Sequence, residues 1–290
     1  MIFLKMGGEP KALRDERKSR MVAALAAFNA YGHGSEQLKE TLTGYGVVKE
    51  ILRERQHGKC AFCERAEDAF NQPVEHFRPK AAADDFTGVV GKEWGNRVTS
   101  HYWWLTWTWS NLFFACDDCN RIGRKGNRFP IEAGKARFLA PTAPLAEVKK
   151  SHMAVASEPA MLINPRLDDP FEHLEWVPVN RRLPKRSWTW QLMHKTRRGE
   201  LTVLAIDLKY RADEVNRHLR LLLNGWRPVE DAIRAGNVAL ARTYWRGLVK
   251  SYLKDRTQPF RNAAWCALDA LCPEAQRQQL GFPPLLKPTG

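Results

Sequence analysis

Four of the six cysteines stand in two short pairs, Cys60-Ala61-Phe62-Cys63 and Cys116-Asp117-Asp118-Cys119. No other feature of the 290-residue chain constrains its fold as strongly. A C-x2-C turn aims two thiolates at one point, and two such turns complete a tetrahedral shell around zinc. The N-terminal MIFLKMGGEPK has too short an apolar run for a secretory signal, so the pairs read as metal ligands before disulfides. A closed four-sulfur shell leaves no open position. The zinc ion held by Cys60, Cys63, Cys116 and Cys119 is therefore expected to be structural, fastening the ends of the insert between the pairs. Cys266 and Cys272 lie apart and read as ordinary buried thiols.

That insert carries most of the chemistry-bearing residues. Glu75-His76 lies in Val74-Glu75-His76-Phe77-Arg78-Pro79-Lys80. Asn111 precedes the second pair, Asn120 follows it directly, and Lys125-Gly126 comes next. A neutral histidine near its ordinary pKa of ~6.5 is a good base at cellular pH. Carboxylate and amide oxygens suit a hard divalent cation such as Mg²⁺ or Mn²⁺, whereas cysteine sulfur does not. The net charge of +14, from 46 Lys+Arg against 32 Asp+Glu, points to a polyanionic partner. Arg121, Arg124, Lys125 and Arg128, with Arg78 and Lys80 near the histidine, are the candidate contacts to a nucleic-acid backbone; a solvated or packing face is the other reading. Trp103, Trp104, Trp107 and Trp109 could stack on bases, but large aromatics at helical spacing read first as core. His33, His57, His101, His152, His173, His194 and His218 have no partner in these motifs.

Three regions are expected: a helical part over 1–56, the chemistry-bearing core over 57–130, and a basic loop region followed by helices over 131–290. Helices are predicted at Glu36–Thr41 and Val47–Gln56 after a first helix carrying Met21, Val22, Leu25, Ala26 and Phe28. Residues 86–98, with three glycines, read as a loop, and 131–200 as irregular. Leu204, Leu208, Val215, Leu219 and Leu222 are expected on one helical face, and Val238–Leu253 forms another amphipathic segment. No run approaches the ~20 apolar residues of a membrane span, so a cytoplasmic protein without a membrane partner is expected. No G-x4-G-K-[ST] loop occurs.

The order C-x2-C, Glu-His, Asn, C-x2-C-Asn, Lys-Gly resembles the HNH nuclease family. That resemblance implies a ββα-metal (His-Me finger) core within a mainly α protein, with flanking N- and C-terminal helices. It implies His76 as general base and Glu75 as a ligand to a catalytic Mg²⁺ or Mn²⁺ ion. Asn111 would orient the His76 ring, and Asn120 would be the second protein ligand. Glu75 is a mild departure, since the family often has Asp there, and the Arg121–Arg124 spacer before Lys125 is slightly long. Within the family the chain is most similar to the PtuB branch, nuclease effectors of Septu and retron-associated antiphage systems. The similarity rests on Lys59–Glu64, Val74–Lys80, Trp109–Leu112, Cys119-Asn120 and Lys125-Gly126. Ile163–Pro165, Asp168–Pro170, His173, Leu204–Leu208, Arg217 and Arg220 also contribute to it. It implies DNA as substrate, a PtuA-like ATPase as partner, and a retron reverse transcriptase/msDNA assembly as a further one. Two other readings stay open: a zinc-stabilised nucleic-acid-binding adaptor without catalysis, and a stand-alone restriction nuclease that reads modified DNA.

Overall fold

The computed structural model describes residues 1–67, 73–89, 92–99, 101–138, 140–142 and 158–290. His152 and Gly91 lie outside them. The described chain is mainly helical with three two-stranded sheets, and side chains from all three expected regions join one hydrophobic core. No helix among the described residues is long and apolar enough to cross a membrane.

The N-terminal helices follow the expected pattern. Helix α1 (Lys11–Tyr31) buries Leu13, Met21, Ala24 and Leu25 and stops at Gly32, whose φ of 75° is open to glycine. Helix α2 (Glu36–Thr41) is capped by Ser35, whose Oγ accepts the Leu38 N–H at 3.2 Å. Helix α3 (Lys49–Arg55) is entered through a short 3-10 turn over Tyr45–Val48.

Strand β1 (Val74–His76) pairs antiparallel with β4 (Leu112–Phe114), and the four-residue helix α4 (Asp117–Asn120) follows. Between them lie β2 (Ala82–Val89) and β3 (Lys92–Thr99), paired antiparallel. This corrects the loop expected over 86–98. Phe86 and Trp94 face each other across the strands with ring centroids 5.5 Å apart, and such a pair outweighs the glycines. The glycine-containing stretches are accommodated by two register shifts. The aromatic block at Tyr102–Trp109 forms 3-10 turns rather than a helix, and Trp103, Trp104 and Trp107 are 0% exposed, as a core assignment requires.

The 131–200 stretch also contains more structure than expected. Strands β5 (Leu174–Pro178) and β6 (Trp190–His194) pair antiparallel, turning Leu174, Trp176, Trp190 and Leu192 inward by simple alternation. Helix α5 (Arg197–Ile206) packs so close to the preceding loop that a Cβ on Gly199 would come within 2.2 Å of the His173 carbonyl oxygen. It ends at Asp207, which is in the left-handed region, and the break separates Leu204 from Leu208. Leu204 is 45% exposed, so the buried face runs through Leu208, Val215, Leu219 and Leu222 without it. Helix α6 (Ala212–Arg234) and helix α7 (Val238–Val249) form a hairpin across which Trp226 and Trp245 touch, and a wide π turn continues α7 to Lys254. Helices α8 (Arg261–Leu271) and α9 (Glu274–Gln279) close the chain, with Cys266 and Cys272 buried.

Candidate metal centre and catalytic site

The two cysteine pairs are brought together by one backbone position. Gln56, at the end of α3, clamps Phe114: its Oε1 accepts the Phe114 N–H at 2.9 Å, and its Nε2 donates to the Phe114 carbonyl at 2.8 Å. The Ala61 N–H donates to the same carbonyl at 3.0 Å. Phe114 closes β4 two residues before Cys116, so this clamp sets the first knuckle beside the second. Cys116 then caps α4, its sulfur accepting the Cys119 N–H at 3.4 Å.

All four cysteines are buried and none is joined in a disulfide, and their sulfurs lie within 4.8 Å of one another. Zn–S bonds of ~2.3 Å in a tetrahedron put ligand sulfurs about 3.8 Å apart, and Cys63 and Cys116 stand 3.7 Å apart. The four cysteines can therefore hold one zinc ion. Hydrogen bonds from Cys119, Cys60 and Cys63 hold the Cys116 thiol well below its usual range, whereas burial pushes Cys60, and the bond to Cys116 pushes Cys119, well above theirs, so Cys116 is the one of these three that favours the thiolate before a metal binds. Arg211, just before α6, donates to the Cys116 sulfur at 3.6 Å and to Asp118 at 2.8 Å. Gln56 and Arg211 were not anticipated; neither lies in a motif, and both act only through residues distant in the chain.

On the paired strands β1 and β4, His76 lies opposite Leu112 and Glu75 opposite Phe113. His76 is 5% exposed, with Tyr45 edge-on at 4.6 Å between ring centroids. Its Nε2 lies 3.1 Å from the Thr106 carbonyl oxygen. A carbonyl only accepts, so Nε2 carries the hydrogen and Nδ1 keeps its lone pair. Burial, with Lys80 and Lys125 nearby, pushes the ring's pKa down to about 3, and the imidazole stays neutral.

Glu75 is not an open carboxylate. It is buried against the ammonium of Lys125, which also donates to the His76 carbonyl at 2.7 Å. Burial pushes the Glu75 carboxyl above its usual range against the pull of Lys125. Asn111 does not bond the His76 ring as the resemblance implied. Its Oδ1 accepts the Arg78 N–H at 2.8 Å, and its Nδ2 donates to the carbonyls of Arg78 at 3.1 Å and Leu105 at 3.3 Å. It ties the chain leaving β1 to the turn that carries Thr106, while Thr106 and Tyr45 hold the ring. Asn120 ends α4 half-buried.

Most of the candidate phosphate contacts are committed inside the fold. Arg78 is 6% exposed and pairs with the buried Glu158 at 2.9 Å. Lys125 is 0% exposed. Arg124 is 6% exposed, its guanidinium 3.4 Å above the Tyr210 ring. Arg128 donates to the Ala205 carbonyl at 3.1 Å and lies over the Trp94 ring. Lys80 lies half-buried over the Tyr45 ring, and Arg121 is open, its nearest carboxylate, Asp118, at 3.9 Å. Arg121 apart, the basic run after Asn120 is thus a packing surface, because Arg124, Lys125 and Arg128 each find an aromatic, acidic or carbonyl partner from another part of the chain.

Neither a protein-family model nor a solved structure matches the chain. Over 130 residues, 44% of its length, it is 36% identical to the Septu protein PtuB of Bacillus mycoides (strain KBAB4). The matched stretch spans 38% of that relative.

Proposed function

We propose that this chain is the nuclease effector of a Septu-type antiphage system, an HNH enzyme that hydrolyses DNA phosphodiester bonds. The observation that carries the reading is the state of His76. The imidazole is neutral, its Nε2–H is spent on the Thr106 carbonyl, and its Nδ1 lone pair is unprotonated. It sits on β1 of a strand–strand–helix unit whose helix is held by the cysteine cluster. Such a ring takes a proton from water, and an arriving phosphate anion raises its basicity toward neutral pH. The likeness to a Septu protein supports the defence role.

The donor set suits a hard cation with one restriction. One Glu75 oxygen belongs to Lys125, so the second oxygen and the Asn120 amide are the groups that would hold Mg²⁺ or Mn²⁺ beside the substrate phosphate. Bound there, the ion would neutralise charge on the phosphate and the leaving oxygen. In this reading Asn111 is a positioning residue, and a separate PtuA-like ATPase chain controls when cleavage occurs.

The test is plasmid cleavage by the purified chain, with and without the co-expressed ATPase, in Mg²⁺ and in its absence. His76→Ala abolishes metal-dependent cleavage while zinc content and the folded state persist. Cleavage by His76→Ala at the wild-type rate rules out His76 as the base. Binding of DNA with no cleavage under any of these conditions favours the adaptor reading instead.

A further inference from the structure

Two of the cations that the fold brings to the His76 strand are spent on carboxylates of the chain itself. Lys125 is taken by Glu75 and by the His76 carbonyl, and Arg78 by Glu158. Lys80 is different. It is half-buried, yet its side chain forms no ion pair or hydrogen bond with a described residue. Its ammonium lies 5.3 Å from the centre of the Tyr45 ring, and the same ring meets the His76 imidazole at 4.6 Å between centroids. The phenol thus joins cation to base, and the two separations together bound the distance between them.

The backbone fixes both members of this pair. Asn111 bonds the N–H and the carbonyl of Arg78, and Pro79, whose ring locks φ, leads into Lys80. Tyr45 opens its 3-10 turn between two anchors. On one side Trp107 donates to the Thr43 carbonyl at 2.7 Å and Arg20 to the Thr43 hydroxyl at 2.9 Å. On the other, Val48 is 0% exposed. The Tyr45 hydroxyl bonds no described residue, so the ring makes the contacts.

A cation drawn partly out of water loses hydration, and burial holds the Lys80 amine below its usual basicity. An aromatic face offsets part of that loss. An anion would offset more, and its place beside Lys80 is open. We propose that Lys80, held against Tyr45, is an anion seat that takes the phosphate attacked by the water at His76. Lys80 is then a catalytic residue, touching the phosphate, and Tyr45 a positioning residue. That the anion is the scissile phosphate of DNA rests on the nuclease reading; the unpaired cation does not. The spacing suits the chemistry. A water on His76 and a phosphate oxygen on Lys80 are contacts of about 2.7–3 Å each, with the phosphorus between them about 3–3.5 Å from the water. Negative charge shifts onto the phosphate oxygens during attack, so an ammonium there favours the transition state over the bound substrate.

The test measures kcat and KM for plasmid cleavage in Mg²⁺ by the full-length protein, with the co-expressed ATPase. Lys80→Gln lowers kcat about a hundredfold with little change in KM, the mark of a contact made in the transition state. Tyr45→Leu lowers kcat about tenfold or more, and Tyr45→Phe, which keeps the ring, recovers most of that loss. Tyr45→Leu/Lys80→Gln is no slower than Lys80→Gln alone, because both changes remove one device. Lys18→Gln, at an exposed lysine of α1, cleaves as the wild type does. Calorimetry with inorganic phosphate, without Mg²⁺ or Mn²⁺, reads the seat apart from cleavage: Lys80→Gln binds phosphate about tenfold more weakly or worse. Phosphate that binds the wild type no better than Lys80→Gln overturns the proposal. So does a Lys80→Gln enzyme with wild-type kcat, a double variant whose losses multiply, or a Tyr45→Phe enzyme as slow as Tyr45→Leu. A wild type that binds phosphate through Lys80 and cuts no DNA overturns the nuclease reading and leaves the seat standing.

Discussion

The cysteine cluster and the His76 site share strand β4 but are held in opposite ways. The cluster is local: each half is a four-residue turn, and one clamp from Gln56 joins the halves. The His76 site is assembled from far apart in the chain. Lys125 reaches back to Glu75 across 50 positions, Asn111 ties down Arg78, and Thr106 supplies a carbonyl. A metal shell fails when one ligand is lost, because the ion's affinity depends on the complete set. A site made of buried pairs and hydrogen bonds fails by degrees and can be repaired by restoring balance.

The largest effect is therefore expected at the cluster. Cys60→Ser loses zinc and the folded state together, because structural zinc contributes about 10–16 kcal/mol against a typical domain stability of 5–15 kcal/mol. Zinc release and circular dichroism read this directly, and wild-type zinc content with unchanged melting breaks the comparison. Next comes Lys125→Met, which leaves Glu75 buried without its counter-charge and costs about 3–5 kcal/mol. The double variant Glu75→Gln/Lys125→Met regains most of that stability in urea unfolding. A single variant within about 1 kcal/mol of wild type would mean that the pair does not hold the site.

Asn111→Ala is smaller, about 1–3 kcal/mol for the unsatisfied backbone groups it leaves behind. It lowers cleavage without moving the pH profile, since Asn111 touches backbone and not the His76 ring; a displaced profile assigns it to the ring after all. The most gradual effect is the pH dependence of stability. His76 titrates at about 3 when folded and near 6.5 when unfolded. Its neutral form is favoured by folding, so this contribution is complete above pH ~6.5 and declines as pH falls toward 3. Compared with His76→Asn, the wild type loses stability more steeply in that window, by at most ~1.4 kcal/mol per pH unit. Parallel curves would show that the ring is not buried as described.

The glycine-rich hairpin shows where reading by residue type falls short. Gly88, Gly91 and Gly95 suggested a loop, but Phe86 and Trp94 meet only after the strands pair. The alternation in Leu174–Pro178 and Trp190–His194 was readable as strand, yet surrounding prolines and basic residues obscured it. Helices α1, α2, α3 and α6 were legible because their apolar spacing is local, as is the Ser35 cap of α2. At the site, the identities of Glu75, His76, Asn111 and Asn120 were legible as a pattern, and their partners were not. Tyr45 and Glu158 sit in no motif, and Thr106 contributes a carbonyl that every residue type possesses.

The sequence alone determined what depends on short spacing: two knuckles with four thiols, a histidine beside an acid, and an excess of positive charge. Tertiary structure alone decided which charges remain free. Lys125, Arg124 and Arg78 look identical in sequence to Arg217, Arg220 and Arg227, but the first three meet Glu75, Tyr210 and Glu158 across long stretches of chain. A buried charge must find a partner or lose its ionisation, and the partner is chosen by the fold. Arg217, Arg220 and Arg227 meet none within the described chain and stay exposed.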